Sequence, residues 1–184
     1  MARWEGNARG RLERAALDLF TEQGYDRTTV AQIAKRASLT ERSFYRWFPD
    51  KREVLFGGDD LEKALVAAIE AVPAGTAALP TLLAAFPAAK DVVRPREFLI
   101  ERTAVIAANP PLLERELIKI AGLADALTSA LVQRGCDQRT ARLATDVGLA
   151  VFRQASARWL AGEEAEIVEL LSASMADLAA VVSS

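Results

Sequence analysis

The chain has 184 residues, 51% apolar and 26% charged, which allows one large domain or two small ones with a substantial core and argues against long disordered stretches. The net charge of −2 taken whole argues against a nucleic-acid binder, but residues 1–55 hold 11 Lys and Arg against 8 Asp and Glu, while residues 56–184 hold 12 against 17; a basic head on an acidic body is expected when only one end meets phosphate. There is no histidine and a single cysteine, Cys136, which excludes Ser-His-Asp triads, His-based zinc sites and any intrachain disulfide, and fits a reducing cytoplasm.

Almost every segment carries a helical period. Leu12, Ala15, Ala16, Leu19 and Phe20 follow the i, i+3, i+4, i+7, i+8 spacing of an amphipathic helix, which Gly24 stops. Val30, Ile33, Ala34 and Ala37 repeat the pattern over a shorter span. Thr29 precedes that span and Gln32 follows three positions later, the spacing of a capping box. Ser38-Leu39-Thr40 is a short connection to a third helix over 41–47, with Phe44 and Phe48 turned inward.

Pro49 ends that helix, and Asp50 caps the next, with Glu53 in the reciprocal position. A fourth helix is predicted from Lys51 towards Val72, interrupted at Gly57-Gly58, where a hinge and a static kink are both open readings. Asp59 or Asp60 re-caps its second part. Pro110-Pro111, Gly135 and Gly162 then separate helices predicted at 76–89, 95–108, 111–134, 138–161 and 164–182. No alternating β-branched run signals a strand. The fold class is therefore all-α, about nine helices, with a head over 1–55 and a body over 56–184. The most apolar stretch, 64–89, is broken by Glu70, Pro73, Gly75, Pro80 and Pro87, short of the roughly 20 unbroken apolar residues of a membrane span. No secretory leader opens the chain, so a cytoplasmic protein with no membrane partner is expected.

Three short helices in the first 48 residues, the last two joined by a three-residue turn, have the geometry of a helix-turn-helix. In that motif the third helix enters the major groove and its first side chains reach base edges. The exposed positions here are Thr40, Glu41, Arg42, Ser43, Arg46 and Trp47. Arg suits the two acceptors of guanine, and Glu accepts from cytosine. Thr28, Thr29 and Thr40 stand where helices two and three begin, with hydroxyls and free N–H groups suited to phosphate, and Lys51 adds a charge at the start of the fourth.

Residues 15–55, AALDLFTEQGYDRTTVAQIAKRASLTERSFYRWFPDKREVL, resemble the DNA-binding domain of the TetR family. The likeness rests on Ala15–Phe20, Gly24-Tyr25, Thr28–Ala34 and Phe44–Lys51. It implies a homodimeric bacterial repressor on palindromic double-stranded operator DNA, released by a small-molecule effector in the body, with no cofactor, metal or enzymatic activity. It further implies that Tyr45 and Lys51 contact backbone phosphate, that Thr40 and Ser43 face DNA, and that Arg42 reads a base. Two departures stand out: Ser38 where glycine is frequent, and Glu41, an acid on the DNA face. Asn109–Leu117 and Ala157–Leu160 resemble the subfamily that includes the mycofactocin regulator, some of whose members sense acyl-CoA thioesters, so an apolar or acyl-type effector is implied.

In the body, helix 111–134 is apolar nearly all round, which predicts a central helix. Phe86, Phe98, Phe152 and Trp159 are candidates to line a cavity or to fill the core. Arg102 and Arg153, on largely apolar helices, are candidates for a ligand anion, a surface position or an internal ion pair. Gly148 and other small residues of 138–161, with the stripe Ile167, Leu170, Leu171, Ser174 and Leu178, predict two helices per chain in a dimer interface. A helical carrier of lipid or acyl groups without DNA binding is the alternative.

Overall fold

In a computed structural model, residues 8–183 are described, Asp91 by its backbone alone. These residues form nine α-helices and two 3₁₀ turns, with no strand among them. The helices are α1 (Ala8–Gln23), α2 (Val30–Arg36), α3 (Glu41–Trp47), α4 (Asp60–Ala71), α5 (Ala78–Ala85), α6 (Arg96–Ala107), α7 (Pro110–Gln133), α8 (Gln138–Ala161) and α9 (Ile167–Ser183). The chain divides into two compact units, one of residues 1–58 and 94–119, the other of 59–93 and 120–184. Residues 1–7 and Ser184, which the expected head and body include, lie outside the described residues.

The first unit is built on α1. Leu12, Ala16, Leu17, Ile33, Phe44, Phe48 and Val54 are buried together, and α6 adds Phe98, Val105 and Ile106 to the same core. Each large side chain buried this way contributes about 1.5–3 kcal/mol. One carboxylate enters the core with them: Glu13 accepts from Arg94 at 2.7 and 2.8 Å and from Arg9 at 3.1 Å. Such a group is tolerated only because it is paired.

The second unit packs Leu65 and Ile69 of α4, Leu82 of α5, Phe86, and Leu127 and Leu131 of α7 against α8 and α9. The Asp137 carboxylate caps α8 by accepting from the Thr140 N–H at 3.0 Å, and Gly162 ends it in the left-handed region at φ 110°. A hydroxyl pair, Thr128 to Thr145 at 3.1 Å, joins α7 to α8 inside this core.

Three expectations are corrected. The fourth helix does not run on from Lys51: a 3₁₀ turn covers Arg52–Leu55 and α4 begins at Asp60. Gly57, at φ 65°, takes a left-handed conformation that no α-helix contains. The helix expected over 76–89 ends at Ala85 and passes into a 3₁₀ segment, because Pro87 has no N–H for the α-helical bond. Finally, α7 is not central along its whole length. Leu112, Leu127 and Leu131 are buried, but Leu113, Leu117, Ile118 and Ile120 are exposed.

Candidate nucleic-acid interface

The start of α2 is held by a closed set of hydrogen bonds. The Thr29 hydroxyl accepts from the Gln32 N–H at 3.2 Å, and the Gln32 side-chain oxygen accepts from the Thr29 N–H at 2.8 Å. Gln23, at the end of α1, donates to the same Gln32 oxygen at 3.2 Å and to the Thr28 hydroxyl at 3.1 Å. Thr29 is exposed, whereas Thr28 is 1% exposed. The Thr28 hydroxyl donates inward to the Gly24 carbonyl at 2.8 Å, so this side chain shapes the turn and does not lie on the outer face.

Lys51 secures that turn from the far end of the motif. Its ammonium donates to the Tyr25 carbonyl at 2.7 Å and the Thr28 carbonyl at 2.9 Å, and lies 4.0 Å from the centre of the Tyr25 ring. Burial lowers its pKa from the ordinary lysine value, against a smaller opposing effect of Asp26. An ammonium has three donors, so one remains beyond the two carbonyls.

Ser38 explains the turn into α3. Its φ of 55° is the left-handed conformation that glycine adopts without cost, while the Leu39 N–H donates back to Ala34 at 2.8 Å to close α2. Thr40 then caps α3, its oxygen accepting from the Ser43 N–H at 3.1 Å, with the two hydroxyls 3.0 Å apart. Phe44 anchors the inner face and packs on Phe48 at 5.4 Å between ring centres. Glu41, Arg42, Tyr45, Arg46 and Trp47 are consequently exposed. Among the described residues Glu41 and Arg42 form no ion pair with each other or with a neighbour, whereas the Arg46 guanidinium lies 5.5 Å from the Trp47 ring. The face thus offers two guanidiniums, a carboxylate, two aromatic rings and short hydroxyls around helix starts. Those groups match base edges and phosphate oxygens.

The Asp50 carboxylate accepts from the Arg52 and Glu53 N–H groups at 2.7 and 3.2 Å, as a cap should. Glu53 does not reciprocate; it pairs with Arg115. Sequence reasoning missed Arg115, whose partner is 62 positions away, and Gln23, whose partners Thr28 and Gln32 lie past the end of its own helix where no helical spacing reaches.

The expected ligand residues are divided between the two units. Phe98 lies in the core of the first unit. Arg102, also in that unit, is bound to the Leu55 carbonyl and Glu116. Phe86 and Phe152 meet in the second unit at 4.8 Å between ring centres, Trp159 is half-buried there, and Arg153 is exposed. The second unit also has an open groove of about 380 Å³ lined by Leu83, Val168, Leu171, Ser172 and Met175, none of which was a sequence candidate for ligand binding.

Of the expected dimer residues, Leu170, Leu171 and Ser174 are buried within the chain itself. Gly148 faces α5, where a Cβ would lie 3.1 Å from Leu82 Cδ1, so its small size serves packing within the chain. Ile167 and Leu178 are half-buried. The apolar side chains that α8 and α9 leave exposed are Leu143, Val168, Val181 and Val182.

Comparison with known proteins gives a consistent result. The family described as "Bacterial regulatory proteins, tetR family" matches residues 13–56. The HTH-type transcriptional regulator TcmR of Streptomyces glaucescens is 42% identical over 90 residues, covering 48% of this chain, which spans only 40% of TcmR. An uncharacterized HTH-type transcriptional regulator of Mycobacterium bovis, Mb2274c, is 31% identical over 145 residues, with 75% of each chain covered. Among solved structures, Thermus thermophilus FadR, a TetR-family repressor in complex with lauroyl-CoA, matches with a TM-score of 0.54 at 22% identity over 91% of both chains.

Proposed function

Since the chain belongs to the TetR family of bacterial regulatory proteins, we propose that it is a repressor that binds palindromic operator DNA as a homodimer and lets go when a small effector binds. It is a transcriptional regulator and not an enzyme, as its relatives are. The observation that carries the DNA reading is the outer face of α3: Glu41, Arg42, Tyr45, Arg46 and Trp47 stand exposed over the buried Phe44. Arg42 and Glu41 serve as base readers. Thr29, Thr40, Ser43, Tyr45 and the third donor of Lys51 serve phosphate, and Thr28 holds the turn that presents them.

The division of labour is a DNA-reading head over residues 1–55 and a ligand-binding and dimer-forming part over 56–184. Compactness divides the chain elsewhere, because α6 and the start of α7 pack with α1. The effector is an apolar or acyl-type molecule. The groove beside Met175 and the apolar second unit support that reading, in keeping with the lauroyl-CoA held by the Thermus protein of the same fold. The exposed apolar side chains of α8 and α9 support the homodimer. The protein acts in the bacterial cytoplasm; no helix among the described residues is long and apolar enough to cross a membrane.

Enrichment of duplexes from a random pool by the purified chain tests this directly. The expected product is an inverted repeat with half-sites about one helical turn, ~34–36 Å, apart or a multiple of it. A pool that returns no enriched sequence would favour a helical carrier and end the repressor reading.

A further inference from the structure

We propose that Arg102 and Arg115 are positioning residues for DNA binding: from α6 and α7 they grip the segment Arg52–Phe56 and thereby set the pose in which α2 and α3 meet the operator. This rests on the DNA-binding reading above.

The segment follows the recognition helix with only Phe48–Lys51 between them. Its near end is tied to both reading elements. Asp50 caps its N–H groups, and Lys51 holds the Tyr25 and Thr28 carbonyls next to the cap of α2. Its far end has a different problem. The chain turns away at Gly57, at φ 65°, and a terminal carbonyl at such a turn lacks a helical partner. Arg102 supplies one: its Nε donates to the Leu55 carbonyl at 2.6 Å. The same guanidinium forks onto both Glu116 carboxylate oxygens, at 3.3 and 2.6 Å, and lies 5.2 Å from the centre of the Phe56 ring. Arg102 is thus engaged by a carbonyl, a carboxylate and an aromatic face.

Arg115, one position before Glu116, makes the second attachment, to Glu53. The two arginines therefore bind opposite ends of one short turn. The corner they come from is itself stiff: the Asn109 side chain donates to the Val105 carbonyl at 2.6 Å, and Pro110-Pro111 follow. A planar guanidinium held at three points transmits position, whereas a single flexible ammonium would not. Movement of this corner must move the 3₁₀ turn, and through Lys51 the start of α2.

The test uses the full chain and a duplex enriched by the wild-type protein from a random pool, with affinity measured by fluorescence anisotropy across a salt series. The variants are Arg102→Met, Arg115→Glu, and the charge swap Glu53→Arg with Arg115→Glu. The expected result is about tenfold weaker binding for Arg102→Met and for Arg115→Glu, within the usual range of coupling between sites. The slope of log affinity against log salt should stay unchanged for Arg102→Met, because no phosphate contact has been removed. The swap should recover most of the affinity, with every variant measured where circular dichroism shows it fully folded, so that the change reads the grip on the turn and not the folded fraction. Unchanged affinity in folded Arg102→Met overturns the proposal, and so does a slope shallower by about one unit, which would make Arg102 a phosphate contact. Should Arg102→Met fail to fold, the swap decides: binding no better than Arg115→Glu alone rejects the proposal. A wild-type chain that enriches no duplex removes the DNA-binding reading itself, whereas wild-type binding with unaffected variants removes only the positioning role.

Discussion

Glu13 and Arg94 face each other through two parallel hydrogen bonds, 2.7 and 2.8 Å long, although 81 positions separate them in the chain. The Glu13 side chain is 2% exposed, so its charge depends on its arginine partners. Removing Arg94 leaves Arg9 to hold the carboxylate at a single 3.1 Å contact. Arg94→Ala should therefore cost about 2–4 kcal/mol, towards the range for breaking one side of a buried pair. Urea unfolding measures it, and Glu13→Gln in the Arg94→Ala background should restore part of the loss. A wild-type midpoint in Arg94→Ala would show that Arg9 alone is sufficient.

Gly57 and Gly58 are adjacent but are constrained by different things. Gly57 sits at φ 65°, where any other residue is strained, and its Cβ would meet Arg9 only at 3.6 Å. Gly58 has no such φ, and its Cβ would lie 3.1 Å from Arg9 Nη2, at the far end of a long side chain and away from any backbone atom. Gly57→Ala should cost about 1–2 kcal/mol through the left-handed backbone, and Gly58→Ala clearly less. Thermal melts of the two single variants give the comparison. Equal losses would mean that the crowding at Arg9, and not the backbone, demands these glycines.

Local chemistry was legible in the sequence because its signals span three or four residues. The Thr29–Gln32 box and the stop at Gly24 stand as read, whereas Asp50 caps a 3₁₀ turn and not a long helix, without the expected return from Glu53. Thr28 and Thr29 were indistinguishable at that level, and only the fold turns one hydroxyl inward and the other out. Leu113 and Leu117 show the same limit on a larger scale: an apolar helix announces that it will be covered, not by what. Arg102 on an apolar helix signalled a partner, but its carbonyl lies 47 positions away, where no spacing rule reaches. The apolar stripe of α9 did not show which of its side chains the chain itself buries, since buried Leu170 and half-buried Ile167 have the same apolar character.

Arg42 is exposed at the start of α3, and among the described residues no carboxylate pairs with it. Arg42→Ala should cost about 1–3 kcal/mol on the enriched duplex and relax preference at one position in each half-site. Glu41→Gln should change preference at a neighbouring position while raising affinity for unrelated DNA, because an acid near phosphate is lost. Sequence logos from selection with each variant make the comparison. A logo unchanged by Arg42→Ala would remove that residue from the reading face.

The Ser174 hydroxyl is buried in the second unit with no hydrogen-bond partner among the described residues. Such a group keeps its desolvation cost and gains nothing in return. Ser174→Ala should raise stability by about 1 kcal/mol, seen as a higher urea midpoint at unchanged slope. A lower midpoint would indicate a partner for the hydroxyl in the assembled protein.

Val168 and Leu171 lie one turn apart on α9 and separate assembly from folding. Val168 is 53% exposed, whereas Leu171 is 4% exposed in the core of the second unit. A charge at position 171 has no partner inside the chain, so Leu171→Glu should unfold that unit or cost several kcal/mol, whatever the oligomeric state. A charge at position 168 stays in water in the single chain and loses that water only if another chain covers the helix. In a two-fold interface each substitution is present twice, which doubles its effect on association. Val168→Glu should therefore leave helicity and melting of the folded chain near wild type while shifting sedimentation from dimer to monomer. Binding to the inverted repeat should fall with it, because one head alone gains nothing from the second half-site. Leu143→Glu on α8, also exposed, should act in the same way. A Val168→Glu protein that stays dimeric and holds the repeat as tightly as wild type would place the contact between chains away from this face of α9.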